Sequence, residues 1–256
     1  MCKFEGCEFE KSSFTKAHFQ SSTIFRCTFK NSVFKSTIIT GTGVTANKFT
    51  NCYLKDTQFT YSNMSENRTG NQYNEVEFKE CLFHSYVEKY SSFESVQFND
   101  CRFIGHVVSN SIVNDSVFNS CNFATFRGQA TRYQRTKFID IYSSNDVLFN
   151  SAIITSCEFT NFDAKFSLVN LTSAKITKTT LTNFGAETLD LTDSTVEETV
   201  LKSCEIEETN AEGINIIGNR DWLNSSDTGG KIQLGESKFS SFLNDISNDD
   251  LLNVQN

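Results

Sequence analysis

The sequence predicts an all-β protein: a right-handed quadrilateral β-helix of five-residue repeats with a short C-terminal α-helix. Three observations predict it. Large apolar residues recur at every fifth position, small residues stand two places before them, and a coarser recurrence of twenty residues runs through both.

The apolar series is unbroken from Phe4 through Phe9, Phe14, Phe19, Ile24, Phe29, Phe34, Ile39, Val44, Phe49, Leu54 and Phe59 to Met64. It resumes at Phe78 and runs to Phe138, then from Phe149 to Phe159, and finally from Phe166 through Leu171, Ile176 and Leu181 to Ile216. A step of five suits neither regular element. On an α-helix each step would rotate the apolar residue by roughly 140°, and on a strand an odd step alternates faces. The pattern is satisfied when each pentad is one structural unit with its central side chain pointing inward, stacked on its neighbours as in a solenoid.

The second inward position carries Cys7, Ser12, Ala17, Ser22, Cys27, Ser32, Thr37 and Cys52, and all nine cysteines fall on it. Where the centre shrinks to Gly128 or Ala186, this position grows to Phe126 or Phe184, so interior volume is kept. Glu88 and Ala211 are centres the pattern leaves unexplained, Tyr86 being the substitute available to Glu88. The cysteines at 81, 101 and 121 and the phenylalanines at 78, 98, 118 and 138 recur every four pentads. That spacing predicts a four-sided coil with like residues in ladders about 4.8 Å apart, about ten coils in all and a rod of roughly 45–50 Å.

Composition agrees with one unit copied many times: 25 Phe, one Trp and no Pro among 256 residues. No apolar run approaches the roughly 18 residues of a membrane span. The first residues lack the apolar stretch of a secretory signal, so a cytoplasmic protein is expected. The net charge of -8 is polarised: residues 1–60 carry eight basic and four acidic groups, whereas residues 141–256 carry seven and eighteen.

Cys7-Glu8-Phe9-Glu10-Lys11, Cys27-Thr28-Phe29-Lys30-Asn31 and Cys101-Arg102-Phe103-Ile104-Gly105 resemble the motif of the pentapeptide-repeat proteins, in which a small residue precedes a central Leu or Phe. The resemblance covers about residues 2–217 and implies the family's right-handed quadrilateral β-helix, expected over residues 1–217. Loops are expected where the register slips, near 65–77, 139–148 and 160–165. Residues 218–256 read as a cap or tail, with Phe239, Phe242, Leu243 and Ile246 at helical spacing behind Ser237. Such a helix would cover the last open β-edge, and the resemblance implies dimerisation through it.

No catalytic or cofactor motif is present. The cysteines lack the spacing of a zinc site, so they read as small core residues, reduced in the absence of an export signal. His18, His84 and His106 are scattered, and no Walker loop, G-x-S-x-G or H-E-x-x-H occurs. A non-enzyme without cofactor or metal is expected. The feature with functional content is the acidic stretch of Glu187, Asp190, Asp193, Glu197, Glu198, Glu205, Glu207, Glu208 and Glu212. On a rigid coil these form either a solubilising surface or a mimic of DNA that occupies the basic groove of an enzyme. The resemblance to the Qnr and MfpA quinolone-resistance branch implies DNA gyrase or topoisomerase IV as partner. The chain differs from that branch in its basic N-terminal third. A protein-interaction scaffold or a secreted bacterial effector is the competing class, and direct nucleic-acid binding is disfavoured by the net charge.

Overall fold

The computed structural model describes residues 2–60, 70–202, 204–217, 231–233 and 238–240. Each pentad contributes a three-residue strand centred on its inward residue, and four such strands make one coil. The second side of the coil, centred on Phe9, Phe29, Phe49, Tyr73, Phe93, Val113, Tyr133, Ile154, Ile176, Val196, Ile216 and Phe239, is a twelve-stranded parallel sheet. The first side opens with a three-stranded sheet, and the other strands form a 20-stranded sheet that includes the third and fourth sides.

Backbone geometry makes the pentad. At most corners the residue two places after the centre takes a left-handed conformation, as at Lys11 (φ 48), Asn31 (φ 51), Asp56 (φ 51) and Asn110 (φ 50), which turns the chain. Its N–H donates to the next coil, as from Lys11 to Lys30 O at 2.9 Å, while the residue before each centre donates back, as from Thr28 to Cys7 O at 2.8 Å. Proline can supply neither the positive φ nor these donors, which accounts for its absence.

The small inward residues finish the corners. Thr42 Oγ1 donates to Phe19 O at 2.8 Å and Thr40 O at 3.0 Å, and Cys101 Sγ reaches Phe78 O and Asn99 O at 3.4 Å. Only a short side chain with a donor satisfies a corner carbonyl from this position. Between corners the phenylalanines stack at the strand spacing. Phe78, Phe98, Phe118, Phe138 and Phe159 form a column with centroid separations of 5.0, 4.5, 4.9 and 4.6 Å. Rings on adjacent sides meet edge to face, as Phe78 and Phe83 do at 5.4 Å and 66°. Each such pair adds about 0.5–1.5 kcal/mol beyond burial.

The interruptions are smaller than the sequence suggests. Tyr73 is not loop but a coil centre, stacked between Phe49 at 5.0 Å and Phe93 at 4.8 Å, so the coil resumes by Gly70, and in this interruption residues 61–69 fall outside the described structure. The slip near 139–148 is one extra residue: Phe138 pairs with Phe159, the strand Lys137–Ser143 covers the first half with Ile141 buried, and a short bend at 144–146 leads to the strand Val147–Leu148. Near 160–165 there is no loop. The strand Glu158–Asn170 runs across it, with its register shift between Ala164 and Leu168. Phe166, expected as a core centre, is 84% exposed, and Ala164 takes the inward place.

The repeat also does not end at Ile216. Lys231–Gln233 and Lys238–Ser240 are strands, and Phe239 pairs with Ile216, so Phe239 belongs to a strand and not to the expected helix. Phe242, Leu243 and Ile246 lie outside the described residues.

Candidate binding surface

The nine carboxylates of the acidic stretch occupy two successive coils but do not share one face. Glu187, Glu205 and Glu207 lie exposed on the fourth side, beside the paired centres Ala186 and Ile206. Asp190, Asp193 and Glu212 flank Leu191 and Ala211 on the first side. Glu197 and Glu198 follow Val196 on the second side and its corner. For Glu208 only the backbone is described, in the strand Glu205–Asn210.

Several of these groups have local work. Asp190 Oδ1 accepts the N–H of Thr192 at 3.0 Å and its hydroxyl at 2.7 Å, fixing a corner. Asp193 lies against Gly213 of the next coil, where an added Cβ would come within 2.4 Å of its Oδ1. Glu198 meets Lys178 at 3.7 Å, and Glu205 pairs with Lys165, whose ammonium it holds above its ordinary pKa by that hydrogen bond. These are exposed pairs, worth about 0–1 kcal/mol each. Glu187, Glu207 and Glu212 have no ion pair among the described residues.

A second concentration of titratable groups is interior and was not foreseen. Glu88, 2% exposed, accepts the hydroxyls of Tyr73 at 2.6 Å and Tyr86 at 2.8 Å on Oε1, and that of Ser91 on Oε2 at 2.5 Å. Asn71 Nδ2 adds a contact of 3.4 Å and passes the network on, its Oδ1 accepting from Asn47 Nδ2 at 3.2 Å. Burial pushes the Glu88 carboxyl above its ordinary range, and the four donors oppose that shift. The expected replacement of Glu88 by Tyr86 at the core is therefore half the picture: both are inside, and one bonds the other. His106 stacks on Tyr86 at 5.6 Å, and burial pushes its pKa down to about 3. The cluster is sealed from solvent, so it organises the coil and offers no access to a substrate.

Seven of the nine thiols are core residues. Cys27, Cys52, Cys81, Cys101, Cys121, Cys157 and Cys204 are buried, whereas Cys7 is half-buried and Cys2 exposed, and burial raises Cys157 to about 11. Among the described residues no group of three or more His, Cys, Asp or Glu is placed to hold a metal, and no helix is long and apolar enough to cross a membrane.

Four-sided coils, a five-residue register and inward Phe ladders define the fold as a parallel β-solenoid built from pentapeptide units. No protein-family model and no curated protein matches its sequence. Similar solved structures include HetL, a pentapeptide repeat protein involved in heterocyst differentiation regulation from the cyanobacterium Nostoc sp. strain PCC 7120. It shares 10% identity over 83% of this chain and 84% of that one, with a TM-score of 0.36. A trypsin-treated form of QnrB1, a plasmid-mediated fluoroquinolone resistance protein, shares 12% identity over 65% and 83%, also at 0.36. A PL6 alginate lyase in complex with a trisaccharide shares 10% over 82% and 54%, at 0.39. At these identities and scores none of them says what this chain binds.

Proposed function

We propose that this chain is a non-catalytic, macromolecule-binding solenoid whose acidic coils stand in for DNA before a DNA-binding enzyme, of which DNA gyrase or topoisomerase IV is the form the sequence resemblance suggests. The observation that carries the reading is charge density. Nine carboxylates at residues 187–212 belong to two coils, about 9.6 Å of axis at the strand spacing. Lys202 lies within the stretch, and Lys165 and Lys178 pair into it. The six charges left make about one per 1.6 Å, against about one per 1.7 Å along duplex DNA. The density extends over about the length of three base pairs, and the coil backbone holds it rigid.

The test is a gyrase supercoiling assay titrated with the purified protein, with and without a fluoroquinolone. Inhibition or drug protection at low micromolar protein, weakened when Glu197, Glu198, Glu207 and Glu208 are all changed to Lys, is the expected result. No effect at high concentration sinks the topoisomerase reading. Equal effects of the native and charge-reversed proteins would show that the acidic coils are not the contact.

A further inference from the structure

Phe166 is an aromatic side chain that the repeat should bury and the structure puts outside. It is 84% exposed, against 49% for Tyr142, the next most exposed of the large apolar residues among those described. The cause is local. Ala164 pairs with Ala186 and Leu168 with Thr188, so Lys165, Phe166 and Ser167 bulge opposite the single residue Glu187. Ser167 turns in and is buried, while Lys165 and Phe166 face solvent.

Carboxylates hold the bulge from both ends. The N–H of Lys165 donates to Asp163 Oδ1 at 3.3 Å, and the N–H of Leu168 donates to Asp146 Oδ1 at 3.3 Å. Asp146, Asp163 and Glu187 are exposed, and none is in an ion pair among the described residues. The adjacent Lys165 lies across Gly185 and gives its ammonium to Glu205. The ring therefore stands exposed on a bulge flanked by Asp146, Asp163 and Glu187, of which Asp163 also attracts the Lys165 ammonium.

We infer that this corner docks an extended, arginine-bearing segment of a partner protein, with a guanidinium stacked on the Phe166 ring and its N–H groups bonded to Asp146, Asp163 or Glu187. The inference rests on the reading of the chain as a binding solenoid, not on the identity of the enzyme. A ring face attracts a cation, and neighbouring carboxylates accept its donors. Guanidinium meets both demands because it is planar and weakly hydrated, whereas an ammonium is a strongly hydrated point charge. The same pairing occurs within this molecule, where the Arg26 guanidinium lies 4.7 Å over the Phe25 ring. Acidic segments and anionic lipid surfaces are repelled here.

A library of short displayed peptides panned against the immobilised full chain tests this without any topoisomerase. Failure of the supercoiling assay and failure of this selection are thus separate results. Enriched peptides should carry Arg, lose affinity about tenfold against Phe166→Ala, and lose more when Arg is replaced by Lys than when flanking residues change. Phe166→Tyr should retain most of the binding, and Tyr90→Ala, at an exposed position in an earlier coil, should leave it unchanged. An unaltered melting temperature for Phe166→Ala, expected of so exposed a residue, excludes unfolding as the cause. No enrichment, enrichment without Arg, or binding that survives Phe166→Ala overturns the proposal, as does binding to a second copy of the chain alone.

Discussion

Tyr73 donates its hydroxyl to Oε1 of Glu88 at 2.6 Å inside the coil, joining a centre of the second side to a centre of the first. Tyr86 and Ser91 donate to the same carboxyl. A buried acid is thus the acceptor on which three hydroxyls depend. Glu88→Leu should destabilise the protein by roughly 2–5 kcal/mol, because the hydroxyls lose their acceptor without regaining water. Glu88→Gln keeps an acceptor for the tyrosines and should cost less than half as much. Urea unfolding of the two variants measures both.

His106 makes stability depend on pH. Its folded pKa is depressed to about 3 from the ordinary 6.5, so the unfolded chain binds the proton first. Its contribution is complete above about 6.5 and is lost as pH falls below that value. Phe126 occupies the same place one coil on, paired with His106 in register. His106→Phe should remove this dependence. Its stability advantage over the native chain should grow by roughly 2 kcal/mol between pH 7 and pH 5. Glu88 titrates in both proteins and in the opposite sense, its raised pKa stabilising at low pH and giving way as pH rises, so it cancels from the comparison. An advantage that stays flat with pH would refute the assignment.

Gly128 is a packing requirement. A Cβ there would lie 2.1 Å from the Tyr133 hydroxyl and 3.0 Å from Phe149 Cδ1. Gly128→Ala should cost about 1–3 kcal/mol from overpacking, and pairing it with Tyr133→Phe should recover part of the loss. Thermal melts of the single and double variants decide the point.

Thiol reactivity should follow burial. Native protein treated with a disulfide reagent near pH 8 should label Cys2 first and Cys7 more slowly. The seven buried thiols should react only as the coil opens. Rapid labelling of all nine would mean that the coil is not closed in solution.

Most of the coil was legible because its rules are local and repeated: one inward residue, one small donor and one left-handed corner per pentad. The errors have physical reasons. Tyr73 was hidden by polar neighbours, although it stands five residues before Phe78. Phe166 misled because it lies five residues before Leu171, and residue counting cannot register a bulge. The signal that locates the true centre is the trade of large for small already visible at Phe126 with Gly128 and Phe184 with Ala186. Phe162 with Ala164 repeats it, and Phe162 stacks on Phe184 at 5.1 Å. The acidic residues were legible as a group, but their distribution over three sides required the corners, which counting alone does not fix. The Glu88 network was not legible, because only Tyr86 shares its pentad, whereas Asn71, Tyr73 and Ser91 come from another side and from separate pentads.

The corner between Ser143 and Val147 in one coil, and Ala164 and Val169 in the next, absorbs one and two extra residues. Beyond it the columns realign, with Phe138 over Phe159 and Phe159 over Leu181. Added length is therefore spent where it is inserted and never rotates the rest of the rod. For an engineer this corner is a splice point: a foreign peptide grafted between Lys165 and Ser167 would be displayed outward while every later face keeps its phase.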